Sequence, residues 1–142
     1  MEHRLIDQQI NLIRDKLLLL GGATETALNR AMQSLVKRDS QLAKQVLEED
    51  QAINQMELEI DRFCVEIFVL RQPAAHDLRL VISVAKITPI LERIADHASN
   101  IADAALIIND EPELNEYSEL SLMAAKAAEM LKNSLDAFTN ED

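Results

Sequence analysis

Hydrophobic residues recur every three or four positions along almost the whole chain, which is the spacing of amphipathic α-helices. Four such stripes cover residues 6–35, 42–70, 80–108 and 117–138. Only 2 glycines and 3 prolines are present to interrupt them. The pattern therefore predicts four helices, the first three of them about 30 to 35 residues and about 45–55 Å long.

A few residues mark where these helices should end or bend. Gly21–Gly22 falls inside the first stripe and indicates either a weak point or a close contact with another helix. Asp39–Ser40 supplies a stop for the first helix and the N-cap of the second. We expect the third helix to begin at Pro73 and to bend by more than ~20° around Pro89. Residues 109–116 are polar and turn-like.

Short turns between long helices make neighbouring helices antiparallel. The predicted fold is therefore all-α, a long antiparallel three-helix bundle with a fourth helix appended. A shift of 103 positions aligns four residues with residues of similar type near the end of the chain: Leu28 with Leu131, Met32 with Leu135, Leu35 with Phe138 and Asp39 with Asp142. We therefore expect residues 1–110 to form one repeat and residues 111–142 to be the first helix of a second, truncated repeat.

Charge narrows the class of partner. The chain of 142 residues has 14 basic and 25 acidic residues, a formal net charge of −11. Such a surface repels nucleic acid and anionic lipid heads, so cations and basic protein surfaces are the expected partners. The single cysteine, Cys64, fits a reducing cytoplasm. No apolar run is long enough for a signal core or for direct membrane insertion.

Two of the predicted helices carry a row of acidic and amide residues on one face. The rows are Asp50, Asn54, Glu57 and Asp61 in the second helix, and Glu92, Asp96, Asn100 and Asp103 in the third. Spacings of three and four residues stack such side chains, and like charges stacked in this way repel. Counted from the turn at residues 72–73, Asp50 and Asn54 should lie level with Glu92 and Asp96 on antiparallel neighbours.

Two interpretations of these rows stay open. Oxygen ligands from facing helices suit a hard cation such as Mg²⁺, Mn²⁺ or iron, which would also remove the repulsion. Alternatively the rows are solvated acidic faces, neutralised by Lys86 and Arg93. No Glu-x-x-His pair, glycine-rich phosphate loop, Gly-x-Ser-x-Gly or Cys-x-x-Cys is present, so we predict no enzymatic activity. Cys64 is interpreted as a reduced core residue.

One stretch of the chain resembles a known family. Residues 71–103 read RQPAAHDLRLVISVAKITPILERIADHASNIAD, and residues 48–60 read EEDQAINQMELEI. Together they closely resemble the signature of the PhoU family, the regulators of phosphate uptake. The matching features are Gln72–Pro73, Asp77–Arg79, and Glu92–Asp96 followed by Asn100. The resemblance covers residues 5–110 as one three-helix repeat.

The resemblance implies a fold, a function and partners. PhoU proteins contain two spectrin-like three-helix repeats, are not enzymes, and are often homodimers. They lie in the cytoplasm beside the membrane, where they link the ATPase subunit of the phosphate ABC transporter to a sensor histidine kinase. Through these contacts they negatively regulate the phosphate-starvation two-component system. We expect the same of this chain.

The resemblance also implies a metal site. Family members bind multinuclear metal clusters through (Glu/Asp)-x-x-x-Asp motifs, so iron, manganese, magnesium or zinc is the expected cofactor. The matching positions are Asp50 with Asn54, Glu57 with Asp61, and Glu92 with Asp96, and Asn100 continues the last row. Asn54 departs from the carboxylate pattern. A metal-buffering protein and a PhoU-like module of a transporter stay open as alternatives.

Overall fold

The structure is a computed structural model that describes residues 2–110 and 117–140, with side chains at residues 5–110, 122 and 125–140. These residues form four helices: α1 (Glu2–Val36), α2 (Ser40–Arg71), α3 (Ala75–Ile108) and α4 (Tyr117–Thr139). No described residue lies in a strand. The all-α prediction is thereby confirmed. No helix in the described part of the chain is long and apolar enough to cross a membrane.

The first three helices form an up-down-up bundle. Two ion pairs show that α1 and α2 are antiparallel, because the later residue of α1 meets the earlier residue of α2. Lys16 Nζ lies 2.9 Å from Glu59 Oε1, and Arg30 Nη1 lies 2.8 Å from Glu49 Oε2. Helix α3 packs against both of them and completes the predicted three-helix bundle.

The core consists of large aliphatic side chains from α1 and α2 and mostly small ones from α3. Its fully buried members include Ile13, Leu17, Leu20, Ile60 and Ile67. Helix α3 contributes Val81, Val84 and Leu91, followed by Ala95, Ala98, Ala102 and Ala105. The alanines let the other helices approach α3 closely, whereas each buried Leu or Ile contributes about 1.5–3 kcal/mol.

The connection between α1 and α2 was predicted correctly. Asp39 has extended backbone geometry, and its side chain accepts a hydrogen bond from the Leu42 N–H at 3.1 Å. This is the N-cap interaction that satisfies one of the unpaired donors of a helix start. At the same end of the bundle the Arg38 guanidinium donates to the Asn109 carbonyl at 2.8 Å, which connects the residues between α1 and α2 to the end of α3.

The connection between α2 and α3 differs from the prediction. Helix α3 begins at Ala75, so Pro73 precedes the helix instead of occupying its first turn. The residue before a proline is disfavoured in the helical conformation, and Gln72 adopts a left-handed conformation with φ 43°. Ala74 is still extended, with ψ 167°, and is therefore the N-cap. The helix can start only after it.

Neither Gly21–Gly22 nor Pro89 interrupts its helix. A Cβ on Gly21 would lie 2.6 Å from Leu135 Cδ2, whereas one on Gly22 would meet nothing within 4 Å. Of the two interpretations of the glycine pair, a close helix contact is therefore correct at Gly21. The bend at Pro89 stays a prediction. Of the predicted turn at 109–116, residues 111–116 lie outside the described residues.

Helix α4 packs against α1 and has no comparable contact with α2 or α3 in the described chain. Leu131 is buried, and Leu135 and Phe138 pack partly against the core. A groove of about 430 Å³ separates α4 from α3. Its lining includes Ile90, Leu91, Met130 and Leu131.

Candidate functional site

The structure brings four carboxylates together where α2 packs against α3. Glu57 and Asp61 of α2 interact with Glu92 of α3, and Asp96 adds to the negative field around Glu57. We call these four residues the acidic cluster. The two acidic rows therefore face each other across the α2–α3 contact.

The acidic cluster raises the pKa of one of its members, Glu57. Partial burial raises the pKa of Glu57, and a hydrogen bond to the Glu92 side chain and the charge of Glu92 raise it further, to about 7. Asp61 and Asp96 add smaller repulsions. The pKa of Asp61 is also raised, by desolvation and by the charge of Glu92. When Glu57 is protonated, its carboxyl group donates this hydrogen bond to Glu92.

The level at which the rows meet differs from the prediction. Glu57 and Asp61, not Asp50 and Asn54, are the α2 residues that interact with Glu92. Asp50 lies two turns before Glu57, about 10 Å further along α2. Glu57 lies 14 residues before the end of α2 and Glu92 lies 17 residues after the start of α3, so the two helices are offset by about three residues. Counting outward from residues 72–73 misses this offset, and the predicted level is therefore wrong for Asp50 but nearly right for Asn54 and Asp96.

The remaining candidate ligands flank the acidic cluster. Asp50 and Asn54 are half-buried, and Asn100 is exposed. The Asp50 Oδ1 atom is shielded from solvent and has no hydrogen-bond partner. Because α2 and α3 are antiparallel, Asp50 lies toward the level of Asn100.

The residues fit the chemistry of a hard cation but are not arranged as a ligand set. In the described chain no group of three or more His, Cys, Asp or Glu side chains is positioned to hold a metal ion. Glu57 and Glu92 are instead joined by a hydrogen bond, for which Glu57 supplies the proton. A cation would have to displace that proton and draw further oxygens inward. The metal site stays a prediction.

Cys64 lies near Asp61 of the acidic cluster and is a core residue. Cys64 is buried, and burial followed by the charge of Asp61 raises the pKa of its thiol to about 11. A thiol that stays protonated is a poor nucleophile, which agrees with this role.

Lys86 and Arg93 are exposed, and no described ion pair joins either of them to the acidic cluster.

The hydrophobic pattern missed an apolar surface beside the acidic cluster. Val65, Phe68 and Val69 lie outside the predicted α2 stripe and are exposed. Leu70, which the stripe placed in the core, is 65% exposed. The available signal was the presence of large apolar side chains off the core face, which a search for one stripe per helix ignores.

The chain is similar to proteins of one known family. The family model of the PhoU domain matches residues 17–105. The chain is 44% identical to the "Phosphate-specific transport system accessory protein PhoU homolog" of Pseudomonas aeruginosa, across 96% of this chain and 59% of that protein. It is 37% identical to the "Phosphate-specific transport system accessory protein PhoU" of Escherichia coli, across 94% of this chain and 56% of that protein.

A solved structure is similar as well. The crystal structure of PhoU from Pseudomonas aeruginosa matches with a TM-score of 0.92 and 42% identity, covering 96% of this chain and 66% of that one. The chain thus spans between about half and two thirds of the length of these relatives. With most of the bundle matched by the family model and almost all of it by a solved relative, the chain belongs to the PhoU family.

Proposed function

We propose that this protein is an accessory regulator of phosphate transport that restrains the phosphate-starvation response. The observation that carries the proposal is the 44% identity, across 96% of the chain, to a relative named as an accessory protein of a phosphate-specific transport system. The helices of the bundle offer long faces for protein contacts. Regulation by contact, without chemistry on a substrate, fits such a scaffold.

The proposed mechanism is an adaptor mechanism. One surface of the bundle engages the ATPase subunit of the phosphate ABC transporter, and another engages the sensor histidine kinase. The net charge of −11 favours basic surfaces on both partners, because complementary charge accelerates association and fixes its orientation. When the transporter is saturated, the adaptor would hold the kinase in its phosphatase-favouring state.

Deletion of the gene tests this function. In phosphate-rich medium the deletion strain should express a starvation reporter, such as secreted alkaline phosphatase, which the parent strain represses. Reintroduction of the gene should restore repression. A reporter that stays repressed in the deletion strain, at the level of the parent, contradicts the proposal.

A second candidate function is the binding of a divalent or multinuclear metal at the acidic cluster, as in a metal-buffering protein. It is supported by the hydrogen bond between Glu57 and Glu92, whose proton a cation could replace. Elemental analysis of protein purified without an affinity tag should then find stoichiometric metal. Glu92→Gln with Asp96→Asn should lose it, and Glu66→Gln, on another exposed face, should keep it. Equal metal content in the parent protein, the double variant and the Glu66→Gln control excludes this function.

We also propose that α4 is the first helix of a second three-helix repeat. The match of Leu131, Leu135 and Phe138 to residues near the end of α1 supports this, as does the open groove between α3 and α4. Residues 1–110 alone should then unfold cooperatively as a complete first repeat. A fragment that is unfolded without α4 contradicts the proposed boundary.

A further inference from the structure

One face of α2 changes from acidic to apolar along its length. Starting from Glu57, steps of four, four and three residues lead to Asp61, Val65 and Phe68, so all four lie on one side of the helix. Val65 is 59% exposed and Phe68 36%. Val69, next to Phe68, is 68% exposed. The half of this face toward the α2–α3 connection is therefore apolar and accessible.

The facing side of α3 changes in the same way. Steps of three and four residues connect Ile82, Ala85, Pro89, Glu92 and Asp96. Ile82 is 37% exposed, Ala85 is half-buried and Pro89 is exposed. Here the apolar half comes first along the chain and the acidic half second.

Because the two helices are antiparallel, the apolar half of the α2 face lies beside the apolar half of the α3 face, and the two acidic halves lie beside each other. The hydrogen bond between Glu57 and Glu92 fixes which levels are opposite each other. Val65 follows Glu57 by eight residues and Ala85 precedes Glu92 by seven, so both lie about 11 Å from the carboxylate pair, toward the α2–α3 connection. We call this two-part surface the α2–α3 seam. It consists of the acidic cluster and an apolar strip formed by Val65, Phe68, Val69 and Ile82.

Contiguous exposed apolar side chains are unfavourable in water and mark docking surfaces, whereas isolated ones need no explanation. We propose that the α2–α3 seam binds an amphipathic helix of a partner protein, with apolar residues over Val65, Val69 and Ile82 and Lys or Arg side chains toward the acidic cluster. This rests on the proposed adaptor function and states the chemistry of one partner surface.

Charge and length select this occupant. A second copy of the chain would bring an equally acidic surface, and an anionic membrane would be repelled by the acidic half. Val69 and Glu57 are twelve residues apart, so the seam is about 18 Å long. A partner helix of about 12 to 16 residues covers it. An apolar half and a basic half on one face of that helix match the two halves of the seam.

The binding test uses a defined probe. A fluorescent 16-residue helical peptide carries leucines on one face of its first half and lysines on the same face of its second half. It should bind the protein, and a scrambled peptide of the same composition should bind at least about tenfold more weakly. Replacing the lysines by glutamates should abolish binding at 0.1 M salt. Equal binding of the scrambled peptide overturns the proposal, because a general attraction between opposite charges would explain it.

Matched variants locate the binding surface on α2. Val65→Ser with Val69→Ser should weaken the ordered peptide about tenfold. Leu70→Ser, which is equally exposed but lies beside Ile6 on the α1 side, should leave affinity unchanged. Glu57→Gln with Asp61→Asn should weaken binding and reduce its salt dependence, whereas Glu66→Gln should change neither. Loss of affinity in the two controls equal to that in the seam variants overturns the proposal.

Two further measurements decide between occupants and separate this proposal from the function. A dimer in solution that Val65→Ser with Val69→Ser dissociates assigns the seam to a second copy, and binding to phosphatidylglycerol vesicles that the same variant abolishes assigns it to a membrane; either result overturns the proposal. If the gene deletion derepresses the reporter but the seam variants bind the peptide normally, the seam proposal fails and the function stands. If the deletion has no effect but the seam variants lose the peptide, the function fails and the seam stands.

Discussion

At the scale of single residues, the most unusual feature of the described chain is a pair of carboxyl groups joined by a hydrogen bond. Glu57 and Glu92 are each half-buried, and they come from different helices. Stacking of like charges within a helix costs a few tenths of a kcal/mol per pair. Bringing two such rows together raises the cost, and the proton of this hydrogen bond offsets part of it. Any basic group or cation that approaches this pair competes with that proton.

This pair makes stability depend on pH. The folded pKa of Glu57 is about 7, above its ordinary value of 4.5, so between these values the folded state binds more protons than the unfolded state. The contribution of Glu57 to the free energy of unfolding is therefore fully present below about pH 4.5 and is lost as pH rises through 7. In metal-free protein with chelator present, the loss attributable to Glu57 between pH 5 and pH 8 should be about 1–2 kcal/mol, less than the full shift because solvent screens a half-exposed site.

Chemical denaturation of Glu57→Gln measures this contribution. The variant keeps a donor to Glu92 but cannot ionise, so its stability should exceed that of the parent at pH 8 and should nearly equal it at pH 5. Glu66→Gln, with an exposed side chain away from the pair, is the control and should follow the parent at both values. A difference between Glu57→Gln and the parent that is the same at pH 5 and pH 8 rules out the raised pKa of Glu57.

At the scale of helices, the sequence predicted the number, length and direction of the elements because core packing sets the hydrophobic period. The N-cap at Asp39 was also predictable, since capping is a local interaction. The start of α3 was not, because a proline can either precede or enter a first turn and only the backbone of Gln72 and Ala74 decides between them. The level of Asp50 was not predictable either, because it depends on a three-residue offset between α2 and α3 that has no local signal. The exposure of Leu70 is a property of its neighbours and has no local signal.

The two adjacent glycines of α1 separate helix propensity from packing. Gly22→Ala should raise the free energy of unfolding by about 0.5–1 kcal/mol, because alanine favours helix and nothing lies within 4 Å of the added methyl group. Gly21→Ala should gain less than this or lose stability, because Leu135 must move. Leu135→Ala should restore the gain at Gly21 in a double-mutant cycle. A Gly21→Ala gain as large as that of Gly22→Ala shows that α4 does not pack against α1 as described.

At the scale of the whole molecule, the described residues form a helical scaffold, and the candidate functional features lie on its surface. Long helices with an aliphatic core hold the acidic cluster and the apolar strip at fixed positions along one face. Family membership follows from the sequence and the fold together. Which surface meets which partner depends on proteins outside this chain, so no pattern within the sequence determines it.

We propose that the protein regulates phosphate transport by contacting the transporter. The most direct measurement is binding of the purified protein to the ATPase subunit of the phosphate transporter of the same cell, by biolayer interferometry at physiological salt. We expect saturable binding that weakens as salt rises, because the chain is strongly acidic. Absence of binding between the folded protein and the folded ATPase subunit, either alone or in the assembled transporter, contradicts the proposed regulation by contact.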